Sequence, residues 1–340
     1  MALLEFTKKG IFCPQANVYI DPWRPVDRAL ITHGHADHSR FGHKSYLCTT
    51  TAKPVIRYRL GPIAVQTIDY GKEIDINGVK VSFHPAGHII GSAQIRLEYK
   101  GEVWCVSGDY KIENDGLSEA FEPVKCHAFI TESTFGLPVY TWQDQATIFK
   151  QINDWWRQNK AEGKVSLLTA YALGKAQRLI YHLDESIGTI YTHGAVENVN
   201  EVIRQQGIHI KPTTRVRQAI KSKAFIGNII IAPPGAVGSP WVRRFKPLSV
   251  GMASGWMSLR GARRRRAADR GFVLSDHADW EGLNQAIAET GAERVFVTHG
   301  YTEIFKRWLR DQGYDAHIVA TEFEGELSEM NSTEGEEQEA

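Results

Sequence analysis

Apolar positions in the first 135 residues fall in short runs that stop at polar clusters. Ala29–Thr32 is an apolar run that ends in a His-rich loop. Val79–Phe83 alternates with the period of two of a half-buried strand and ends at His84-Pro85-Ala86-Gly87-His88. Ala93–Tyr99 and Glu102–Ser107 flank a short Lys100-Gly101 turn and predict a hairpin whose second strand runs into Ser107-Gly108-Asp109. Ala128–Thr131 predicts another strand, ending at Glu132-Ser133-Thr134. Loops past strand ends are where sheet-based enzymes place reactive side chains.

After Gly136 the period changes. Ile148, Phe149, Ile152, Trp155 and Trp156 recur at helical spacing within Gln145–Lys160. Val165–Thr169 predicts a strand, residues 174–183 a helix, Thr189–Thr192 a strand and Val196–Gln206 a helix. This βαβα alternation predicts a separate three-layer domain. Phe272–Leu274 predicts a short strand before Ser275-Asp276-His277-Ala278-Asp279. A helix (Trp280–Thr290), a strand (Arg294–Val297) and a helix (Thr302–Gln312) follow. From Phe323 the chain is polar and acidic, a composition that predicts disorder.

Charge sharpens this division. The net charge is +1 over 340 residues, yet Glu322 to Ala340 carries eight acidic residues and no Lys or Arg. The segment Gly136 to Arg270 has 21 basic and 8 acidic residues, or +13, and suits a polyanionic partner. A solvated basic face without a ligand has the same composition. Cys13, Cys48, Cys105 and Cys126 are scattered, with no CxxC pair, and read as reduced thiols of a cytoplasmic protein. No long uncharged apolar run and no signal-peptide core are present, so no membrane association is expected.

The densest chemical signal is His33-Gly34-His35-Ala36-Asp37-His38, three imidazoles and a carboxylate in six residues. Such donors suit Zn²⁺ and, with more oxygen, Mn²⁺. One loop cannot close two sites, and further donors follow at strand ends: His88, Asp109 and His299. Asp109 is suited to bridge, because a carboxylate has two oxygens to share between cations.

These residues resemble the metallo-β-lactamase superfamily. The resemblance assigns His33, His35 and His88 to one metal and Asp37, His38 and His299 to the other, with Asp109 between them. Asp21 resembles the superfamily's early Asp, which orients a ligand; a plain turn residue is the alternative. His43 and His84 have no place in the pattern. Glu132 in Thr131-Glu132-Ser133-Thr134, His277 and His299 look like the A, B and C motifs of the β-CASP branch, which acts on nucleic acid. The implied fold is an α/β, αββα metallo-β-lactamase sandwich (1–135 and 271–322) with an inserted β-CASP αβα cap (136–270) and an acidic tail (323–340).

Within that branch, Arg260-Gly261-Ala262-Arg263-Arg264-Arg265-Arg266 and Gly271 to Trp280 are most similar to the bacterial DNA-ligase-associated DNA exonucleases. That likeness implies a DNA exonuclease in DNA repair that uses two divalent ions, Zn²⁺ or Mn²⁺. It also implies 5′-phosphate and 3′-hydroxyl products, 5′-to-3′ polarity and a functional association with a DNA ligase and helicase. Asp37 would accept a proton from the attacking water, and His277 would protonate the leaving oxygen or hold the phosphate, oriented by Glu132. Ser133, the helix start at Gly174-Lys175, and Arg263, Arg264, Arg265 and Arg266 are the expected phosphate contacts. Ordinary helix capping is the alternative for Gly174. The rival functions are an RNA-processing nuclease of the same fold, a small-molecule thioester or lactam hydrolase, and a binding scaffold without activity.

Overall fold

The structure is a computed structural model that describes residues 2–259 and 268–323. Arg263 to Arg266 and residues 324–340 of the acidic tail lie outside the described residues. Residues 2–141 and 276–323 form one compact unit, and residues 142–259 and 268–275 form a second.

The first unit begins with a six-stranded sheet in sequential order: β1 (Glu5–Thr7), β2 (Gly10–Cys13), β3 (Val18–Ile20), β4 (Arg28–Leu30), β5 (Ser45–Thr49) and β6 (Val65–Ile68). The first three strands run antiparallel, and β3 to β6 are parallel. Helix α1 (Lys53–Leu60) connects β5 to β6. Antiparallel strands β7 (Glu73–Ile76), β8 (Val79–Pro85), β9 (Ala93–Tyr99) and β10 (Glu102–Val106) open a second sheet, and β11 (Ala128–Ser133) pairs in parallel with β10. The turn between β9 and β10 has Lys100 at φ 51° and Gly101 at φ 83°. Two left-handed residues match the right-handed twist of a hairpin.

The chain then builds the second unit: α2 (Gln145–Ala161), β12 (Val165–Thr169), α3 (Lys175–His182), β13 (Ile190–Thr192), α4 (Gly194–Arg204), β14 (Thr214–Arg215), β15 (Ile229–Ala232), β16 (Leu248–Ala253) and β17 (Arg270–Phe272). Its strands are parallel, in the order β14-β13-β15-β12-β16-β17. Helix α2 covers one face: Asn159 donates to Ser166 Oγ at 2.9 Å and Trp155 Nε1 to Ser249 Oγ at 3.2 Å. The opposite face, with Val165, Leu167, Ile230 and Val250, packs on Phe225, Ala236, Trp241 and Phe245. Among the described residues that cover comes from 3₁₀ turns and their ends, where the sequence predicted a helical layer. The apolar run at Phe272 also differs from expectation. Its strand β17 is an edge of the second unit's sheet, paired from Gly251↔Arg270 to Ala253↔Phe272.

On its return the chain adds α5 (Trp280–Thr290), β18 (Arg294–Gly300), α6 (Thr302–Asp311) and β19 (Asp315–Ile318) to the first unit. Strands β18 and β19 complete the seven-stranded sheet β19-β18-β11-β10-β9-β8-β7. Side-chain alternation now sorts the layers. Leu30, Trp104, Val106, Ala128 and Ile130 point into a core shared by both sheets. Ala29 and Ile31 point outward onto Ala52 and Ile56 at α1, and Val103, Cys105 and Phe129 point onto Leu283, Ile287, Phe305 and Leu309 of α5 and α6. The layer order is helix, sheet, sheet, helices. Glu322 and Phe323 are placed, and Phe323 is buried, although the sequence predicted disorder from that residue. All four cysteines are free and buried. Among the described residues no helix is long and apolar enough to cross a membrane.

Candidate metal centre

Five strand ends of the first unit converge. The His33–His38 loop follows β4, His88 follows β8, Asp109 follows β10, Glu132 lies at the end of β11, and His299 lies at the end of β18. Two glycines permit the approach. Gly108 has φ 59°, and a Cβ there would sit 2.7 Å from Thr32. Gly300 has φ 96°, and its Cβ would sit 2.2 Å from the Ser133 carbonyl oxygen. Pairing of β11 with β18 shifts between Thr131 and Ser133, an irregularity of the kind that re-aims a side chain, and Glu132 lies within it.

The buried Asp109 carboxylate is the centre of the cluster. Its Oδ2 lies 3.5 Å from His33 Nε2, 3.5 Å from His38 Nε2 and 3.9 Å from His88 Nε2. Its Oδ1 lies 3.1 Å from His299 Nε2 without the alignment of a hydrogen bond. His35 Nδ1 meets His88 Nε2 at 3.0 Å. Donors of His33, His35, His88 and Asp109 come within reach of one ion, and those of His38, Asp109 and His299 within reach of another. Asp37 lies beside the latter group, Oδ2 3.7 Å from His38 Nε2.

Hydrogen bonds behind the rings decide which nitrogen faces Asp109. Thr32 Oγ1 donates to Asp21 Oδ2 and therefore accepts from His33 Nδ1 at 3.0 Å. Thr298 Oγ1 donates to the Thr131 carbonyl and accepts from His299 Nδ1 at 3.1 Å. Asp21 Oδ2 accepts from His38 Nδ1 at 2.7 Å, and the Asp276 carbonyl accepts from His88 Nδ1 at 2.9 Å. With Nδ1 bonded to these acceptors in all four rings, the Nε2 atoms of His33, His38, His88 and His299 gather around one carboxylate. The Nε2 atoms of His33, His38 and His299 and Oδ1 of Asp109 are buried without a hydrogen-bond partner. Buried polar atoms left unpaired are costly, so this arrangement fits divalent cations.

Electrostatics agree with that fit. Burial pushes His33 and His88 below the ordinary imidazole range, which keeps their lone pairs available. Burial also opposes a charge on His38, but the carboxylates of Asp109, Asp37 and Asp21 outweigh it and raise the ring to about 10. Burial opposes the Asp109 charge as well, yet His38, His299 and His277 hold it well below the usual carboxylate range. Positive charge is demanded here, whether a proton or a metal ion supplies it.

No family model matches the chain. Over 327 residues, 95% of its length, the chain is 30% identical to a protein named probable DNA ligase from Opitutus terrae, of which it covers 32%. Over 123 residues it is 32% identical to endoribonuclease YSH1 from Saccharomyces cerevisiae, a match covering 36% of this chain and 16% of that protein. It is also 32% identical, over 126 residues, to cleavage and polyadenylation specificity factor subunit 3-I from Arabidopsis thaliana, covering 36% of this chain and 18% of that one. The chain thus spans about a third of the ligase and about a sixth of the other two. A solved protein of unknown function from Enterococcus faecalis has the same fold, with a TM-score of 0.58 at 10% identity over 82% of this chain and 76% of that one. Similarity to YSH1 and to subunit 3-I supports the metallo-β-lactamase superfamily and a divalent-metal site.

Beside the cluster, His277 Nδ1 meets Glu132 Oε2 at 2.8 Å and Oε1 at 3.0 Å. Glu132 Oε1 also accepts from the Tyr110 amide at 2.8 Å. The His277 ring lies 4.7 Å from that of His88. Asp109, Glu132 and His277 can themselves surround one ion, so His277 stands either beside the metal site or in it.

Three expected phosphate contacts have partners within the protein. Ser133 Oγ donates to the His299 carbonyl at 2.7 Å, so its proton positions the His299 loop and is not offered to an anion. The Gly174 amide donates to Gln177 Oε1 at 2.7 Å, which is helix capping. Lys175 is buried, with Nζ 4.5 Å from the centre of the Tyr171 ring. His84 pairs with Glu122, and burial pushes His43 down to about 4 near Tyr46; both stand outside the cluster. The sequence reading missed Thr32, Thr298 and the Asp276 carbonyl. The two threonines gave a signal, since each immediately precedes a ligand candidate at a strand end.

Proposed function

We propose that the protein is a divalent-metal-dependent nuclease that hydrolyses phosphodiester bonds of nucleic acid with two ions bound around Asp109. The observation that carries this reading is the convergence of four imidazole Nε2 atoms on one buried carboxylate, with the Glu132–His277 pair alongside. Bound cations of the Zn²⁺ or Mn²⁺ type would offset phosphate charge and make water acidic enough to attack. His33, His35 and His88 would hold one ion and Asp37, His38 and His299 the other, with Asp109 shared. Asp37, at the edge of the cluster, is the acceptor for the proton of the attacking water. Glu132 fixes the Nδ1–H of His277, which leaves Nε2 to face substrate and, when protonated, to protonate the leaving oxygen. The products would be a 5′-phosphate and a 3′-hydroxyl. Arg217, Lys221, Lys223, Arg243 and Lys246 of the second unit are exposed, which suits a polyanion better than a lactam or thioester.

RNA is the better supported substrate, because YSH1, the relative named for a nuclease activity, is an endoribonuclease. A DNA exonuclease of 5′-to-3′ polarity, working with a ligase and helicase, is the second reading, favoured by the alignment over 95% of the chain with a probable DNA ligase. Strands of RNA and of DNA of one sequence, labelled at either end and incubated with Mn²⁺, Mg²⁺ or Zn²⁺, separate the two. Internal cleavage of RNA supports the first reading, and stepwise shortening of DNA from its 5′ end supports the second. Cleavage of neither, with hydrolysis of a thioester, would refute both.

A further inference from the structure

Glu322 and Phe323 follow β19 and pack against the rear of the metal cluster. The Phe323 ring stacks on His38, with centroids 4.3 Å apart and planes at 14°. It meets His299 edge-on at 5.8 Å and Trp23 edge-on at 5.6 Å. Trp23 is itself fixed, with its amide donating to the Lys9 carbonyl at 3.0 Å and its indole nitrogen to the Lys8 carbonyl at 2.9 Å. The segment is tethered by charge. Arg24 donates two hydrogen bonds to the Glu322 carboxylate at 2.5 and 2.6 Å. Arg40 donates to the Glu322 carbonyl at 2.8 Å and to the Asp37 carbonyl at 3.3 Å, and so joins this segment to the metal loop.

The physical consequence is specific. The hydrogen bond from Nδ1 to Asp21 fixes the direction of one bond of the His38 ring, but the ring can still tilt about that axis. A flat aromatic face stacked at 14° fixes the remaining freedom, which is the ring plane. Among the described residues Phe323 makes ring contacts with His38 and His299 and with no other imidazole of the cluster. We propose that Phe323, held by Glu322 with Arg24 and Arg40, is a positioning residue for the ion of the His38–Asp109–His299 group, and that it leaves the ion of His33, His35 and His88 unaffected. This rests on the two-ion reading given above.

The test measures the affinity of each ion in the full chain by competition with a chelator during Zn²⁺ titration, and the visible spectrum of the Co²⁺-loaded protein. Outer-sphere partners of ligands typically contribute about 10–100-fold to metal affinity. Phe323→Ala is expected to weaken one ion by about that factor and to alter the Co²⁺ spectrum, with the second ion unchanged. Phe323→Tyr keeps the flat face and should restore both. Glu322→Ala alters a half-exposed side chain and should give a smaller loss in the same ion; it carries the test if Phe323→Ala fails to fold. Equal affinities in the parent and the variants, or equal weakening of both ions, would overturn the positioning role alone. A parent protein that binds fewer than two ions would overturn the two-ion reading and this inference with it.

Discussion

Glu132→Gln removes one charge and no volume, and the structure says what that should cost. The Glu132 carboxylate accepts both the Tyr110 amide and His277 Nδ1, at 2.8 Å each. A glutamine has one oxygen and one NH₂ group; with the oxygen kept for the Tyr110 amide, the NH₂ group faces His277 Nδ1 in the tautomer that the carboxylate fixes. A buried donor without an acceptor costs about 1–3 kcal/mol. For a cooperative unit of this size each kcal/mol lowers the melting temperature by about 2–4 °C, so the metal-free protein should melt about 2–12 °C lower. Turnover should fall too, because His277 loses the partner that fixes its Nδ1 proton. The loss should stay below that of His277→Ala, for which a missing acid–base group gives about 10²–10⁴-fold. The assays are thermal melts with and without chelator, turnover under saturating substrate, and elemental analysis. An unchanged melting temperature and unchanged turnover would refute the argument. Loss of a metal ion would instead make Glu132 a ligand.

His277→Ala should keep both ions while losing turnover; elemental analysis showing one ion fewer would move His277 into the coordination sphere. His38 is held at about 10 in the metal-free protein, so loading its ion at neutral pH must expel a proton. Zn²⁺ affinity should therefore rise with pH between neutrality and about 10, and calorimetry in buffers of different ionisation enthalpy should report the released proton; pH-independent binding would contradict this. The sign of the stability effect is fixed as well. A raised imidazole stabilises the metal-free fold fully below its unfolded value of 6.5 and ceases to do so as pH rises through about 10, so the metal-free melting temperature should fall across that window. Nucleic-acid binding should weaken steeply with salt if the second unit supplies phosphate contacts, and Ala in place of Arg263 to Arg266 should lower affinity more than turnover; salt-insensitive binding would exclude that role.

The elements that hold ligand candidates were legible because each pairs an apolar run with an abrupt His, Asp or Glu. Strand β9 and helix α5 keep the predicted bounds, set by a Lys-Gly turn and by an Asp cap with a closing glycine. Helix α1 was not legible: it is short, carries Arg57 and Arg59 in its last turn, and has no side-chain cap. Strands β1 to β3 are three or four residues long, too short to display a period. The seven metal-ligand candidates could be read from residue type, but the protonation of each ring could not. That depends on Thr32, Thr298 and the Asp276 carbonyl, and a strand-end threonine looks like an ordinary β-former. The partners of Ser133 and Gly174 were not legible for a related reason. Both are polar or permissive residues at loop starts, and only the fold shows that His299 and Gln177 already occupy them.

The account rests on Asp109 joining metal to phosphodiester cleavage. One preparation of the parent protein and of Asp109→Ala should be divided between elemental analysis and a nuclease assay on end-labelled RNA and DNA. The expected result is two divalent ions per parent chain, cleavage abolished by chelator and restored by added metal, and an Asp109→Ala protein that lacks activity and most of one ion. A parent preparation that is free of metal and still cleaves nucleic acid, or an Asp109→Ala variant that retains both ions and full activity, would contradict it.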